Sequence, residues 1–413
     1  MKILLLGKTA GAHYLAQLLA EDENVSTVYH YSKVNSYDEK QVILSDSTNA
    51  IEFLETHQID LVIPLINVFQ LWDSLRVICA GKNIPVLMPL DAEGPMLEWS
   101  KIKGKIFLTK AGIPTANLIR IISKTDLVQH FQKFPRPFVL KYEQDWRAGQ
   151  QTVIITDDNA EYQLEHIQEK GSVRYMAKDF GDFNNQHFIT EEFVEGVREY
   201  SYHVLINSKS RCYLGSARDY KKRNENDSGD NTASMGSYGI VEDVDPIIDS
   251  YVDKFVEQLY KNGIAYTGVL YLGIMETVYG VPLVLEINTR FGDPELCAIL
   301  PLINGSVAKL LLDCAVQNNM EPISFKNKKS VAVRIVNKNY SLDNDLTKMK
   351  FPNFSDAPKN ICVSYNVLDQ ELLFGILTVV DDTIEKASDI IYSYLKTKDL
   401  GDYTYRTDIG YLK

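Results

Sequence analysis

Along the first hundred residues, short unbroken aliphatic runs alternate with stretches whose apolar positions recur at helical spacing. Lys2 to Leu6 is such a run; it stops at Gly7, and Ala12 to Ala20 follows with apolar residues one helical turn apart, the pattern of a strand, a glycine-containing turn and a helix. Val25 to Tyr31, Asp60 to Pro64 and Ile84 to Met88 read as further strands, with helical patterns at Asn49 to His57 and Val68 to Ala80 between them. Parallel strands need crossovers of this kind, so residues 1–100 are expected to form an α/β unit that opens as a nucleotide-binding half does.

The pattern changes after Ser100. A lysine-rich amphipathic helix, Ser100 to Ala111, is stopped by Gly112 and Pro114, and β-rich sequence follows at Phe138 to Tyr142, Thr152 to Thr156 and His187 to Phe193. Tyr200 to Ile206 and Cys212 to Ala217 read as long strands. Lys221 to Gly236 reads as a polar loop, Ile247 to Asn262 as a helix, and Thr267 to Met275 and Leu283 to Ile287 as two more strands. Beyond residue 326, strands at Ser330 to Val336, Cys362 to Val367 and Glu371 to Val380 with a helix at Thr383 to Thr397 suggest a small α+β closing unit. The expected division is therefore 1–100, 101–326 and 327–413.

Composition narrows the partners. With 413 residues, 45% hydrophobic, the chain is long enough for several packed units with sizeable cores. A formal net charge of -12 argues against a general nucleic-acid or membrane-surface footprint and for small-molecule partners. Cys79, Cys212, Cys297, Cys314 and Cys362 are scattered and never at CxxC spacing, so neither a disulfide framework nor a thiolate zinc site is indicated, and a reducing, cytoplasmic setting is expected. No stretch approaches the roughly 20 apolar residues of a membrane span, and the opening apolar run is too short for a signal peptide.

The densest chemistry lies in Val284-Leu285-Glu286-Ile287-Asn288-Thr289-Arg290-Phe291-Gly292-Asp293-Pro294-Glu295. Strand side chains alternate, so Glu286 and Asn288 share a face and present two hard oxygen donors, which suit magnesium bound to nucleotide phosphates. Arg290, two residues on, extends that face with a planar fork fitted to a carboxylate or acyl phosphate. The plainer alternative is the solvated face of a strand. Lys8, with Thr9 and Gly11 at a strand-to-helix turn, is either an anion contact at a helix N-terminus or an ordinary turn residue; the spacing is not that of a Walker loop. His13, one turn into that helix, reads as a packing or capping histidine.

The run Arg290 to Glu295, preceded by Gly268-Val269-Leu270-Tyr271, resembles the glycinamide ribonucleotide synthetase (phosphoribosylamine–glycine ligase) family. So do Arg218-Asp219-Tyr220-Lys221-Lys222, the stretch Asp227 to Tyr238, Ala111-Gly112-Ile113-Pro114-Thr115-Ala116, Thr190-Glu191-Glu192-Phe193-Val194-Glu195-Gly196 and Tyr405-Arg406-Thr407-Asp408-Ile409-Gly410, in an order that spans nearly the whole chain. The resemblance implies an ATP-grasp fold with an N-terminal Rossmann-like domain, an ATP-binding lobe at about 120–193 and a small C-terminal α+β domain. It implies ATP and Mg2+, or Mn2+ in its stead, and an amide formed through an acyl phosphate from a carboxylic acid (an amino acid) and an amine, by a monomer or homodimer. Carried to this chain, Lys141 contacts phosphates, Glu191, Glu192 and Val194 form the adenine hinge, and Glu199 binds ribose hydroxyls. Glu286 and Asn288 hold metal, while Arg290, Lys221 and Asp219 serve the chemistry and Lys8, Gly292 and Asp293 the substrates.

The chain departs from the family pattern in three places. Gly7-Lys8-Thr9-Ala10-Gly11-Ala12-His13 keeps a glycine and the histidine of the first loop without its arginine–glutamate pair, and Ile63-Pro64-Leu65-Ile66-Asn67 lacks the Gly-Pro-Glu after the third strand. Glu143 to Gln150 replaces a small glycine-alanine-lysine run; there Gly149 permits close backbone approach, Arg147 offers a substitute charge, and Trp146 is expected to pack on the neighbouring lobe. The first two departures leave the amine open. The alternatives are a noncatalytic nucleotide-binding regulator that kept the fold and, more weakly, a dinucleotide-dependent oxidoreductase, which lacks its GxGxxG.

Overall fold

The computed structural model describes the chain except residues 33–37, 46–47, 66–68, 123, 144–151, 171–187, 241–243, 339–349, 369–370 and 412–413. The first unit comprises β1 (Lys2–Leu6), α1 (Ala10–Ala20), β2 (Thr27–Tyr31), β3 (Gln41–Leu44), α2 (Ala50–Thr56), β4 (Leu61–Pro64), α3 (Phe69–Lys82), α4 (Glu93–Trp99) and α5 (Lys101–Lys110). Its sheet is parallel in the order β3-β2-β1-β4. The aliphatic run of β1 is explained by burial on both faces: Ile3 and Leu5 enter a core with Leu15 and Leu19 of α1, whereas Leu4 and Leu6 enter another with Leu54, Trp72 and Leu75. The strand expected at Ile84 to Met88 is reduced to one bridge, Val62 with Val86. Pro85 and Pro89 flank it, and a proline has no N–H to give to a ladder.

A second, antiparallel sheet follows: β5 (Leu118–Ile122), α6 (Lys124–Lys133), β6 (Phe138–Tyr142), β7 (Thr152–Ile155), α7 (Ala160–Lys170) and β8 (Phe188–Glu192), with strand order β5-β8-β6-β7. Its small core gathers Leu127, Phe131, Phe138, Leu140, Ile155 and Phe188.

The largest sheet has nine strands. It takes β9 (Gly196–Ile206), β10 (Arg211–Asp219), β13 (Gly236–Ile240), β14 (Gly268–Thr277) and β15 (Pro282–Asn288), then β16 (Lys329–Asn337), β17 (Cys362–Leu368), β18 (Glu371–Asp381) and β19 (Tyr403–Thr404). Helices α8 (Pro246–Lys261), α9 (Glu295–Ile299), α10 (Val307–Ala315) and α11 (Ile384–Leu395) pack against it. Pairing of β13 with β16 carries the sheet across residue 326 without a break. The stretch read as a polar loop instead contains a hairpin, β11 (Lys222–Asn224) with β12 (Ser228–Asn231). Asn226 and Asp227, at φ 57° and 48°, turn the chain there, a left-handed conformation that these two residue types tolerate. Arg406, 2% exposed, pins the hairpin by donating to Asp227 Oδ1 (2.9 Å) and the Lys222 carbonyl (2.8 Å).

Candidate active site

Between the second sheet and the nine-stranded sheet lies a cleft of about 430 Å³. The second sheet lines it with Val139, Lys141, Thr152, Ile154, Glu191 and Glu192, and the large sheet with Glu199, Arg218, Asp219, Tyr271, Met275, Glu286 and Asn288; Val194, Lys221, Arg290, Gly292, Asp293 and Glu295 complete the wall. Every residue given a catalytic, nucleotide, metal or substrate role by the family resemblance is thus brought to one cavity except Lys8. Its ammonium stands 5.6 Å above the Tyr31 ring, outside the residues that line the cleft. Trp146, Arg147 and Gly149, and Ile66 and Asn67, lie outside the described residues.

Strand alternation places Glu286 and Asn288 side by side, opposite Gly273 and Tyr271 of β14. Gly273 has a direct reason to be glycine: a β-carbon there would sit 2.8 Å from Glu286 Cγ, so the bare backbone lets the carboxylate lie across the strand. The Lys221 ammonium reaches both walls of the carboxylate group, 2.6 Å from Glu199 and 3.4 Å from Glu286. Lys221 holds the Glu286 carboxyl down to about 2 against the opposing effect of burial, with Lys101 and Lys141 assisting. Burial in turn works against the charge of Lys221, but Glu199 and Glu286 outweigh it and hold its pKa well above the ordinary lysine value.

Deeper in the cleft the balance reverses. Burial, then the neighbouring Glu295, pushes the Asp219 carboxyl up, and burial pushes Glu295 up as well. Asp219 Oδ1 is buried with no hydrogen-bond partner among the described residues. Gly292 admits Glu295 to this position, since a β-carbon would lie 2.6 Å from its carboxylate. Arg290, just past the end of β15, stands 3.1 Å from Glu98 on α4 and donates to the Phe291 carbonyl at 3.0 Å. Asp293 is a junction: Oδ1 accepts from Arg334 at 2.6 Å and Oδ2 from the Gly11 backbone at 3.2 Å, which ties the start of α1 to the cleft.

Opposite, Lys141 Nζ lies 2.8 Å from Glu191 Oε2. The Glu192 carboxylate turns away to accept from the Asn117 backbone (2.9 Å) and side chain (3.1 Å). Sequence reading did not single out Lys101, Arg218 or Glu295 as site residues, although all three line the cleft. For Lys101 a signal was present: Ser100 caps α5 by accepting from the Lys103 backbone, which sets the first lysine of a lysine-rich helix at the helix mouth.

The donor set fits a divalent cation and a polyphosphate. The Glu199, Asp219, Glu286 and Glu295 carboxylates and the Asn288 amide line the cleft, the Lys221 ammonium stands between Glu199 and Glu286 as a bound cation would, and Asp219 Oδ1 offers an unsatisfied oxygen. Among the described residues no three His, Cys, Asp or Glu side chains form a closed metal cluster, so the ion would take its remaining oxygens from phosphate and water.

Comparison with known proteins agrees with this geometry. The family model described as "Phosphoribosylglycinamide synthetase, ATP-grasp (A) domain" matches residues 99–296. A phosphoribosylamine–glycine ligase of Synechocystis sp. is 32% identical over 351 residues, covering 81% of this chain and 79% of its own, and one of Streptococcus pneumoniae is 27% identical over 439 residues, covering 99% of each. The crystal structure of phosphoribosylamine–glycine ligase from Thermotoga maritima superposes with a TM-score of 0.78 at 25% identity, over 99% of this chain and 100% of that one. Fold and cleft together define an ATP-grasp enzyme, a ligase that uses ATP and a divalent metal to form an amide bond between small molecules. The chain belongs to the phosphoribosylamine–glycine ligase family. The reading as a noncatalytic regulator is not favoured by these matches, and among the described residues no helix is long and apolar enough to cross a membrane.

Proposed function

We propose that this chain joins the carboxylate of glycine to the amino group of phosphoribosylamine, with Mg2+ as its metal and Mn2+ as a substitute. The single observation that carries the reading is the wall on which the Glu199 and Glu286 carboxylates flank the Lys221 ammonium beside the Asn288 amide, in one cleft with Lys141 and Arg290. Bound MgATP would supply the phosphoryl group that converts the substrate carboxylate to an acyl phosphate with release of ADP, from which the amine would displace phosphate to leave the amide.

The chain's own residues position and neutralise; none need act as a nucleophile. Glu286 and Asn288 hold the metal. Lys141 neutralises phosphate charge, the backbone of Glu191, Glu192 and Val194 pairs with the adenine edge, and Glu199 accepts from ribose hydroxyls. Arg290 aligns the carboxylate of the amino acid, its guanidinium being steadied by Glu98 at 3.1 Å. Lys221 and Asp219 orient that substrate, and Asp219 takes up the amine's proton. Asp219 is suited to a proton by its raised pKa, whose main causes are burial and Glu295. Residues 1–100 present the amine, 101–326 hold the nucleotide and 327–413 close the site, with Gly292 and Asp293 at the meeting point next to Gly11.

A second reading, ligation of glycine or another amino acid to a different amine, is favoured by the first loop. It lacks the family's arginine–glutamate pair, and its one cation, Lys8, lies over Tyr31 rather than in the cleft. The deciding experiment is ATP-dependent phosphate release with glycine and freshly made phosphoribosylamine beside a matrix of other amino acids and amines, with products identified by mass. Formation of glycinamide ribonucleotide supports the first reading, and turnover with another pair alone replaces it with the second.

A further inference from the structure

Lys105 is a buried cation that lies beside the cleft but does not line it. It is 6% exposed on α5, one helical turn beyond Lys101, which does line the cleft. Its ammonium donates to Thr115 Oγ1 at 2.8 Å and to the Ala116 carbonyl at 3.1 Å, and faces Glu191 Oε1 at 3.3 Å. The other oxygen of that carboxylate holds Lys141 Nζ at 2.8 Å. One carboxylate is therefore shared by two ammonium groups, and the buried triad carries a net positive charge.

That sharing decides what Lys141 can do. Alone with Glu191, Lys141 would form a neutral pair, and a neutral pair attracts a distant anion weakly. With Lys105 on the far side, the carboxylate's charge is divided between two ammonium groups, and of these it is Lys141 that lines the cleft, where water is scarce and charge interactions are strong. The same ammonium grips the strap that joins the two sheets. Thr115 donates to the Val284 carbonyl of β15 at 2.6 Å, two residues before Glu286, while the Asn117 N–H donates to the Glu192 carboxylate of β8 and the Asn117 carbonyl accepts from the Glu192 backbone. Lys105 thus touches both walls of the cleft through one residue each.

We propose that Lys105 is a positioning residue for the nucleotide: by sharing Glu191 it leaves the Lys141 ammonium charged toward the phosphates. The inference rests on Lys141 as a phosphate contact. The test is calorimetric binding of MgADP, which needs no turnover, to the full chain and to K105Q, K105R, K141M and K105Q/K141M, together with KM for ATP and for the amino acid. The glutamine removes the charge while keeping a polar N–H donor, and the arginine keeps the charge.

The expected result is MgADP binding weakened about 10-fold or more in K105Q, with KM for ATP raised and KM for the amino acid within about 2-fold, and near-normal binding in K105R. The double variant should bind no more weakly than K141M, because Lys105 acts through Lys141. Normal MgADP binding by K105Q alongside weak binding by K141M overturns the inference. So do additive losses in the double variant or equal changes in both KM values, which mark a general structural tie. Normal binding by K141M overturns instead the reading of Lys141. Should K105Q fail to fold, T115V, which cuts the strap contact and spares the triad charge, decides: retained MgADP affinity supports the charge argument, and a loss equal to that of K141M overturns it.

Discussion

The Lys221 ammonium stands 3.4 Å from the Glu286 carboxylate, so a cation already occupies the face on which a metal would sit. Both side chains are about 30% exposed, and an ion pair that wet adds little to stability. Its meaning is electrostatic: the Lys221 ammonium lowers the Glu286 pKa to about 2, so Glu286 is ionised at neutral pH. Replacing the carboxylate by an amide of the same shape should therefore remove metal binding and leave the fold. Glu286→Gln is expected to lower metal-dependent turnover about 100-fold or more, with a melting temperature within a few degrees of the parent. Near-normal turnover would remove Glu286 from the metal site.

Arg290 tests the carboxylate end of the cleft. It is 14% exposed on its side chain and held by Glu98, whose other oxygen accepts from the Thr289 backbone at 2.8 Å. Arg290→Ala should raise KM for the amino acid about 10-fold or more and slow turnover, while KM for ATP changes little. An unchanged amino-acid KM would mean that the guanidinium serves Glu98 rather than substrate.

Asp293 is better buried in its pairing than in its exposure. Arg334, 8% exposed, gives it a 2.6 Å contact, and Gly11 adds a backbone hydrogen bond. Asp293→Ala leaves that arginine with the Ala233 and Asp293 carbonyls but without its carboxylate, and removing one partner of a buried pair costs up to about 3–5 kcal/mol. The expected outcome in urea denaturation is a lower midpoint with weakened amine binding. A loss of amine binding at unchanged stability would show instead that Asp293 contacts substrate directly.

What sequence reading recovered, and what it did not, follows the range of the interactions. Alternation along β15 put Glu286 and Asn288 on one face, and the aliphatic run of β1 announced a strand, which the structure buries on both sides. These are local patterns. The hairpin at Lys222 to Asn231 was hidden because its turn depends on left-handed Asn226 and Asp227 and on Arg406, far along the chain. Joining of β16 to β13 is a choice of sheet edge, on which hydrophobic periodicity is silent. Glu98 and Lys105 were invisible for the same reason: each reads as one charge on a short helix until its distant partner is placed beside it.

Lys8 separates the two amine readings. Thr9 caps α1 by accepting from the Ala12 backbone, so Lys8 sits at the mouth of the helix while its ammonium leans over Tyr31. If it meets an anionic group of the amine, Lys8→Ala should raise KM for that amine about 10-fold and leave the KM values for ATP and the amino acid within about 2-fold. Identical kinetics for all three substrates would make it a turn residue and shift weight to an amine without a phosphate.

The pH dependence of nucleotide binding should report Lys105. Burial is the main influence and pushes its pKa from 10.5 down to about 8; Glu191 opposes the shift, Lys141 adds to it, and Glu192 pulls weakly upward. The sign differs for stability and for binding. Because the folded pKa lies below the unfolded one, the fold carries the cost of a buried charge in full below about pH 8, and that cost fades as pH rises toward 10.5, so this group's contribution to stability improves with pH. Nucleotide binding moves the other way, since deprotonation leaves Lys141 and Glu191 as a neutral pair. Between about pH 7 and about pH 9, MgADP affinity of the parent should fall about 5-fold or more; Lys105→Arg, charged throughout, should stay tight and flat, and Lys105→Gln weak and flat. A parent curve that runs parallel to both variants would assign the titration to another group and leave Lys105 as a structural tie.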